Sequence, residues 1–417
     1  MTAALNTVWV IFAGTLVFFM EGGFALLEAG LVQAKNTLSI VMKVLADVTV
    51  GSLVYGIAGF ALMYGLSRNG WIGTSGFFLS GHFAPVAQVP IPVLWFFEMA
   101  FAVAAISIVS GAVSERMRFG SYLVFVVVGI LAYSVSGHWV WNPGGWLAKL
   151  GMEDFAGSAV VHTFGGFAAL AAAWLVGPRR GRFEGGENPF RPSNLPLAFV
   201  GTFILWFGWF GFNGGSTLSA FSPLIGPVVV NTMVAAAAGG LVAIAVTRVQ
   251  QGVYDPTMAI NGVLAGLVAI TAGCAYVDTA GALAIGAVAG ILVVLGTGWL
   301  EQWKVDDPVG AFPVHGVNGV FGTLAVGLFA VKGGLFYGGG IHLLAAQLVG
   351  CGAIAAWGFL VTAATLGAMR AFGVARVSAE EEAEGLDLRL HGQHAYHRGS
   401  VFSHLPEATS PGRTVAH

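Results

Sequence analysis

Asp154-Phe155-Ala156-Gly157-Ser158-Ala159-Val160-Val161-His162-Thr163-Phe164-Gly165-Gly166 carries the spaced pattern D-x-x-G-x-x-x-V-H-x-x-x-G, and Asp307-Pro308-Val309-Gly310-Ala311-Phe312-Pro313-Val314-His315-Gly316-Val317-Asn318-Gly319 carries it again. Each copy puts a titratable histidine at the start of an uncharged, apolar run. Ionisable groups are costly in a bilayer, so a histidine placed twice in matching contexts marks a functional site and exposes an internal repeat. A single isolated histidine would ordinarily do no more than bond a neighbouring helix; the matched copies argue for function.

Composition sets the surroundings of that repeat. Of 417 residues, 56% are hydrophobic and 9% charged, against about 25% charged in ordinary soluble proteins. With a mean hydropathy of +0.80, this is the composition of a polytopic, all-α integral membrane protein. A net charge of -2 gives no reason to expect a nucleic-acid partner. The 62 glycines are roughly twice the usual share of about 7%, and suit helices whose backbones approach closely, with Gly262-x-x-x-Gly266 and Gly286-x-x-x-Gly290 as packing faces. Cys274 and Cys351 lie in apolar runs and imply no disulfide framework. Met1 to Thr7 carry no positive charge, so the first apolar run is expected to stay as a membrane span rather than be cleaved.

A bilayer needs about 20 apolar residues per helix, and eleven stretches qualify: 8–31, 44–65, 94–114, 121–141, 158–177, 196–213, 227–248, 257–277, 281–300, 312–331 and 342–369. One alternating set of loops holds Lys35, Lys43, Arg116, Arg118, Arg179, Arg180, Arg182, Arg191, Arg248, Lys304, Arg370 and Arg376; the other holds only Arg68, Lys149 and Lys332. The positive-inside rule then puts the N-terminus outside and the C-terminus in the cytoplasm, with Arg389, Arg398 and Arg413 in the tail. His162 and His315 open spans five and ten. An odd offset inverts the second copy, so spans 1–5 and 6–10 form an inverted repeat with a substrate path between the halves, and one extra C-terminal span follows. The expected division is a transmembrane domain over 1–373, with repeats about 1–177 and 196–331 and the extra span about 342–369, and a cytoplasmic tail over 374–417, too short for a catalytic domain.

Related by a pseudo-two-fold axis, His162 and His315 should face each other, and a facing imidazole pair can share and relay one proton. Asp154 and Asp307, eight residues before the histidines, sit where a carboxylate caps a helix start. Capping is the expected role of Asp307, while Asp154 can also ease a cation into the vestibule. Phe97, Phe101, Trp139, Trp141, Trp146, Trp209, Phe210 and Phe212 crowd the outer side, as interfacial belt or packing, with some ring faces free for a desolvating cation. Ser216 offers a hydroxyl at the end of span six. Glu21, Glu28, Asp47 and Glu98 fall within spans with no Lys or Arg deep in any span to pair with, which favours a cation or neutral substrate over an anion.

These residues resemble the ammonium transporter family, the Amt/Mep/Rh proteins, in its bacterial or archaeal Amt-type form, over nearly the whole chain. The resemblance rests on the two histidine segments, Asp306-Asp307-Pro308 before the second, Ala34-Lys35-Asn36, Gly111-Ala112-Val113-Ser114-Glu115-Arg116 and Gly208-Trp209-Phe210-Gly211-Phe212-Asn213. It implies ammonium uptake across the cell (inner) membrane, with His162 and His315 as the pore-lining proton relay and Phe101 and Phe212 as a stacked phenyl gate. It further implies an outer recruitment site of Phe101, Trp141 and Ser216 supported by Asp154, and a homotrimer with one pore in each subunit. Methylammonium is a further candidate substrate. Glu380-Glu381-Glu382 through Gly385-Leu386-Asp387-Leu388 resembles the segment through which PII-type regulatory proteins act. No enzyme activity, cofactor or metal is implied. Ser158 stands where a second glycine is usual, Glu98 where glutamine is expected, and Leu388-Arg389-Leu390-His391-Gly392 where Ser-Glu-His-Gly is typical. Rival readings are a neutral Rh-like ammonia or carbon dioxide channel, an ammonium sensor with little transport, and an intramembrane metalloenzyme using both histidines and an aspartate. The last lacks any i, i+4 histidine pair or His-Glu motif.

Overall fold

Thr2–Leu31 (α1), Ala34–Tyr64 (α2), Ile91–Ala112 (α3), Phe119–Trp141 (α4), Ser158–Val176 (α5), Leu195–Gly215 (α6), Ile225–Gln251 (α7), Pro256–Ile270 (α8), Thr279–Gln302 (α9), Phe312–Phe329 (α10) and His342–Ala371 (α11) are the long helices of the computed structural model, which describes residues 2–185 and 190–396. Ten helices among the described residues are long and apolar enough to cross a bilayer; α8, at 15 residues, is shorter. Helices close every backbone hydrogen bond within the segment, which an apolar chain in lipid requires. Their starts are marked by side-chain caps: Asn194 accepts from the Leu197 amide, Asp255 from Thr257 and Met258, and Asp278 from Gly281.

Small residues set the packing. A Cβ on Gly262 or Gly290 would press on the Gly239 carbonyl, and one on Gly266 or Gly286 on the Ala235 carbonyl. Both expected Gly-x-x-x-Gly faces therefore grip the same helix, α7. Helices α1 and α6 pair in the same way, Gly30 lying against the Ala198 backbone and Gly201 against Leu27.

The basic loops gather at one end of the bundle. Arg179 bridges Glu115 at 2.6 Å and Asp306 at 2.8 Å, and the buried Arg116 donates to the carbonyls of Ser114, Gly177 and Asp306. Burial alone would raise the Asp306 carboxyl, but the Arg116 and Arg179 guanidiniums outweigh it and hold the group at about 2. The tail docks here through Ala379–Glu384 (α12) and Leu386–His391 (α13). Glu382 takes three bonds from Arg376, Lys35 donates to the Glu382 and Ala383 carbonyls, and Asp387 accepts from the Leu38 and Ser39 amides at 3.0 and 2.7 Å. The start of the tail is thus packed, His391 resting edge-on against Phe119. His397, Arg398, Arg413 and the remainder of the tail assigned to 374–417 lie outside the described residues.

The interior is not free of basic groups. Lys43, read from the sequence as a loop residue, is wholly buried two turns into α2, its Nζ 5.7 Å from the Tyr122 ring centre. Around it Tyr122 donates to Asp47 at 2.8 Å, Ser107 bridges Asp47 and Glu21, and Ser110 contacts both oxygens of Glu28. Three of the intramembrane acids are therefore held by hydroxyls, and two of them, Asp47 and Glu28, lie close to Lys43.

Candidate functional site

The aspartates, glycines and histidines of the repeated pattern each have a structural job. Both histidines lie on one-turn π-helical segments, Ser158–Thr163 opening α5 and Phe312–Val317 opening α10. Gly157 and Gly310 precede these turns with φ of 115° and 78°, where a side chain would be strained. The Asp154 carboxylate accepts from the Gly157, Ala159 and Val160 amides at 2.9–3.0 Å, and that of Asp307 from Gly310 and Phe312 at 3.1 and 2.8 Å. The two aspartates cap their helices from opposite ends of the bundle, Asp307 beside the charged loops and Asp154 at the far end. Burial pushes the Asp154 carboxyl up to about 6 against the pull of those amides. The closing glycines allow the two helices to cross: a Cβ on Gly166 would strike the Gly316 amide, and one on Gly319 the Ser158 carbonyl.

The crossing brings His162 and His315 together, Nδ1 to Nδ1 at 3.2 Å, with both rings buried. Two nitrogens at that distance share one hydrogen. In a neutral pair one ring therefore carries its proton on Nδ1 and the other on Nε2. His162 lies against both Trp209 and Phe212, with ring centres 5.2 and 5.7 Å away and those two rings 5.5 Å from each other, and Phe24 lies 6.4 Å from His315. Trp209 is fully buried, its indole donating to Thr271 at 2.9 Å. The sequence grouped it with belt or packing aromatics, and its place against His162 became visible only in the fold. Phe97, Phe101, Trp139 and Phe212 are buried as well.

On the far side of Phe212, Phe101 stacks on it with ring centres 3.9 Å apart. Above Phe101 is a cavity of about 100 Å³ lined by Tyr64, Phe97, Glu98, Phe101, Trp141 and Ser216. Trp141 stands edge-on to Phe101 at 6.1 Å, held by an indole N–H bond to the Asp154 carbonyl at 2.8 Å. Ser216 donates to the Phe212 carbonyl at 2.8 Å, leaving its oxygen lone pairs available to the cavity. Asp154 does not line the cavity; it supports the wall from behind through Trp141. Glu98, noted in the sequence as an intramembrane acid and as a departure from the family pattern, is in the lining. Below the histidines a cavity of about 20 Å³, room for about one water, touches His315, Glu28 and Asn261. Cavity, phenyl stack, histidine pair and lower cavity follow one another through successive contacts.

Ser158 explains its own departure. Its hydroxyl donates to the Val268 carbonyl and accepts from the Ala272 amide, both at 2.7 Å, tying α5 to the end of α8.

Residues 8–396 match the model of the Ammonium Transporter Family. Ammonium transporter Amt2 of Archaeoglobus fulgidus is 44% identical over 418 residues, spanning 94% of this chain and 88% of that protein. A solved structure called Sensor Amt Protein superposes with a TM-score of 0.88 at 40% identity, covering 94% of this chain and 99% of the other. Candida albicans Mep2 superposes at 0.84 with 31% identity, covering 91% of this chain and 87% of its own. With its fold, its paired histidine turns and these likenesses together, the chain belongs to the ammonium transporter family.

Proposed function

We propose that the protein is a multi-pass transporter that moves ammonium across the cell membrane through one pore in each subunit. The observation that carries this reading is the succession of Trp141, Phe101, Phe212, His162 and His315 between two cavities. A charged ammonium ion is expensive to place between stacked phenyl rings, whereas ammonia is not. Ammonium is recruited over the faces of Phe101 and Trp141, beside the Ser216 hydroxyl, with Asp154 supporting the site. It gives up its proton there; ammonia passes the phenyl stack, and the proton follows along His162 and His315 by exchange across the shared Nδ1–Nδ1 hydrogen. Potassium carries no proton and is refused.

The architecture that goes with this reading is eleven spans, α8 serving as the eighth, with spans 1–5 and 6–10 inverted about the histidine crossing and α11 added. The transmembrane domain covers 1–373 and the tail 374–417. The N-terminus is outside, the basic end and tail are cytoplasmic in the inner membrane, and the subunits form a homotrimer. A PII-type regulator is the candidate partner of the docked tail.

Currents recorded from proteoliposomes on a solid-supported membrane test the reading. A sustained current after an ammonium jump, absent after a potassium jump, is expected. A neutral Rh-like channel would instead give ammonia flux by an internal pH dye with no sustained current.

The likeness to the protein called Sensor Amt Protein favours a second reading, an ammonium sensor. It predicts ammonium-dependent thermal stabilisation of the purified protein with neither current nor flux.

A further inference from the structure

Deprotonation at the mouth needs an acceptor for the proton. Asp154, the carboxylate expected there, already accepts three backbone amides and lies outside the cavity lining. Glu98 is in the lining, projecting from α3 one turn before Phe101, and is 95% buried, with a relative exposure of 5%. Its Oε2 has no hydrogen-bond partner among the described residues, and the Tyr64 hydroxyl is its side-chain partner. The lining contains no Lys, Arg or His. One carboxyl with a free oxygen, facing aromatic rings and unopposed by any base, is a cation site rather than a packing residue.

We propose that Glu98 is the group that binds ammonium at the mouth and takes its proton. The proposal rests on the transport reading above. In the step, one N–H bond of the ammonium ion breaks, its electron pair stays on nitrogen, and the proton forms an O–H bond at Glu98 Oε2. An ammonium–carboxylate ion pair thereby becomes ammonia and a carboxylic acid, with no change in total charge. Apolar surroundings disfavour the ion pair more than the neutral pair, so the cavity that makes a bare ion costly also drives the transfer. Ammonia then moves past Phe101 and Phe212, and the carboxyl resets by passing its proton inward through water to His162, the titratable ring below the phenyl stack. Glutamine, expected here from family resemblance, would bind a cation through its carbonyl but would accept no proton. The chain therefore carries a base at its mouth where an amide is usual.

The test is E98Q, which keeps the shape, beside E98D, which keeps the acid. With matched reconstitution and melting temperature, E98Q is expected to lower the maximal ammonium current about tenfold or more and to raise the half-saturating concentration, while E98D restores part of the current. A second readout needs no transport: ammonium-dependent thermal stabilisation of the purified protein should fall in E98Q. Full current and unchanged stabilisation in E98Q, with a normal wild-type current, would overturn the role of Glu98 alone. A wild type with no ammonium-specific current would instead overturn the transport reading, and loss of stabilisation in E98Q would then still support Glu98 as the cation ligand.

Discussion

Trp141 shows how a residue can matter twice. Its ring edge closes the cavity over Phe101, while its N–H is committed to the Asp154 carbonyl. Replacing it with leucine removes both, and the loss of one ring face costs about 1 kcal/mol. Ammonium-dependent current of W141L should therefore reach half-saturation at ~fivefold higher concentration, with W141F closer to wild type. Ser158 is a purely structural counterpart. S158A strands the Ala272 amide in the interior, so its melting temperature should drop by the equivalent of about 1–3 kcal/mol. Phe101, Phe212, Trp141 and the histidines could be nominated in the sequence because their types and spacing fit a family pattern. Ser158 could not be explained there, since its partners lie more than a hundred residues away, and Trp209 reads like any apolar aromatic until its ring is seen against His162.

At the scale of elements, the crossing of α5 and α10 determines where His162 and His315 meet. Gly166 and Gly319 face each other's π-helical turns, so a methyl group at either site must push two backbones apart. G166A is expected to reduce or abolish assembly of folded protein, or to leave a folded protein whose current is lost because the His162–His315 contact has opened; G22A, on a glycine with open space around it, should behave as wild type. Size-exclusion profiles and currents of the two variants check this. The repeat that makes the crossing was legible because aspartate, glycine and histidine recur at the same spacing in an otherwise apolar chain. The start of α2 was not. Hydropathy reads Lys43 as a loop residue, yet it is buried close to Asp47, one turn on in the same helix, and to Glu28 of α1, a neighbour that only tertiary structure supplies.

At the scale of the whole molecule, the charge asymmetry between the two ends is also a source of stability. Asp306 ionises at about 2, below its ordinary 3.8, so its pairing with Arg116 and Arg179 contributes stability above the ordinary value that is lost as pH falls toward the lower one. The contribution is about 2 kcal/mol at neutral pH. Melting temperatures taken down through that acid window should fall for the wild type, and D306N should start lower and fall less. Composition and loop charges made the membrane class and the basic end legible, because both are sums over many residues. The docking of α12 and α13 onto that end was hidden, since polar helices of six residues carry no periodic signal. The central claim is that the paired histidines let ammonium cross as ammonia plus a relayed proton. It is tested most directly by comparing ammonium and potassium currents of H162D and H315D on a solid-supported membrane. The account predicts that each variant loses discrimination and passes a potassium current that the wild type refuses; unchanged selectivity against potassium in both variants would contradict it.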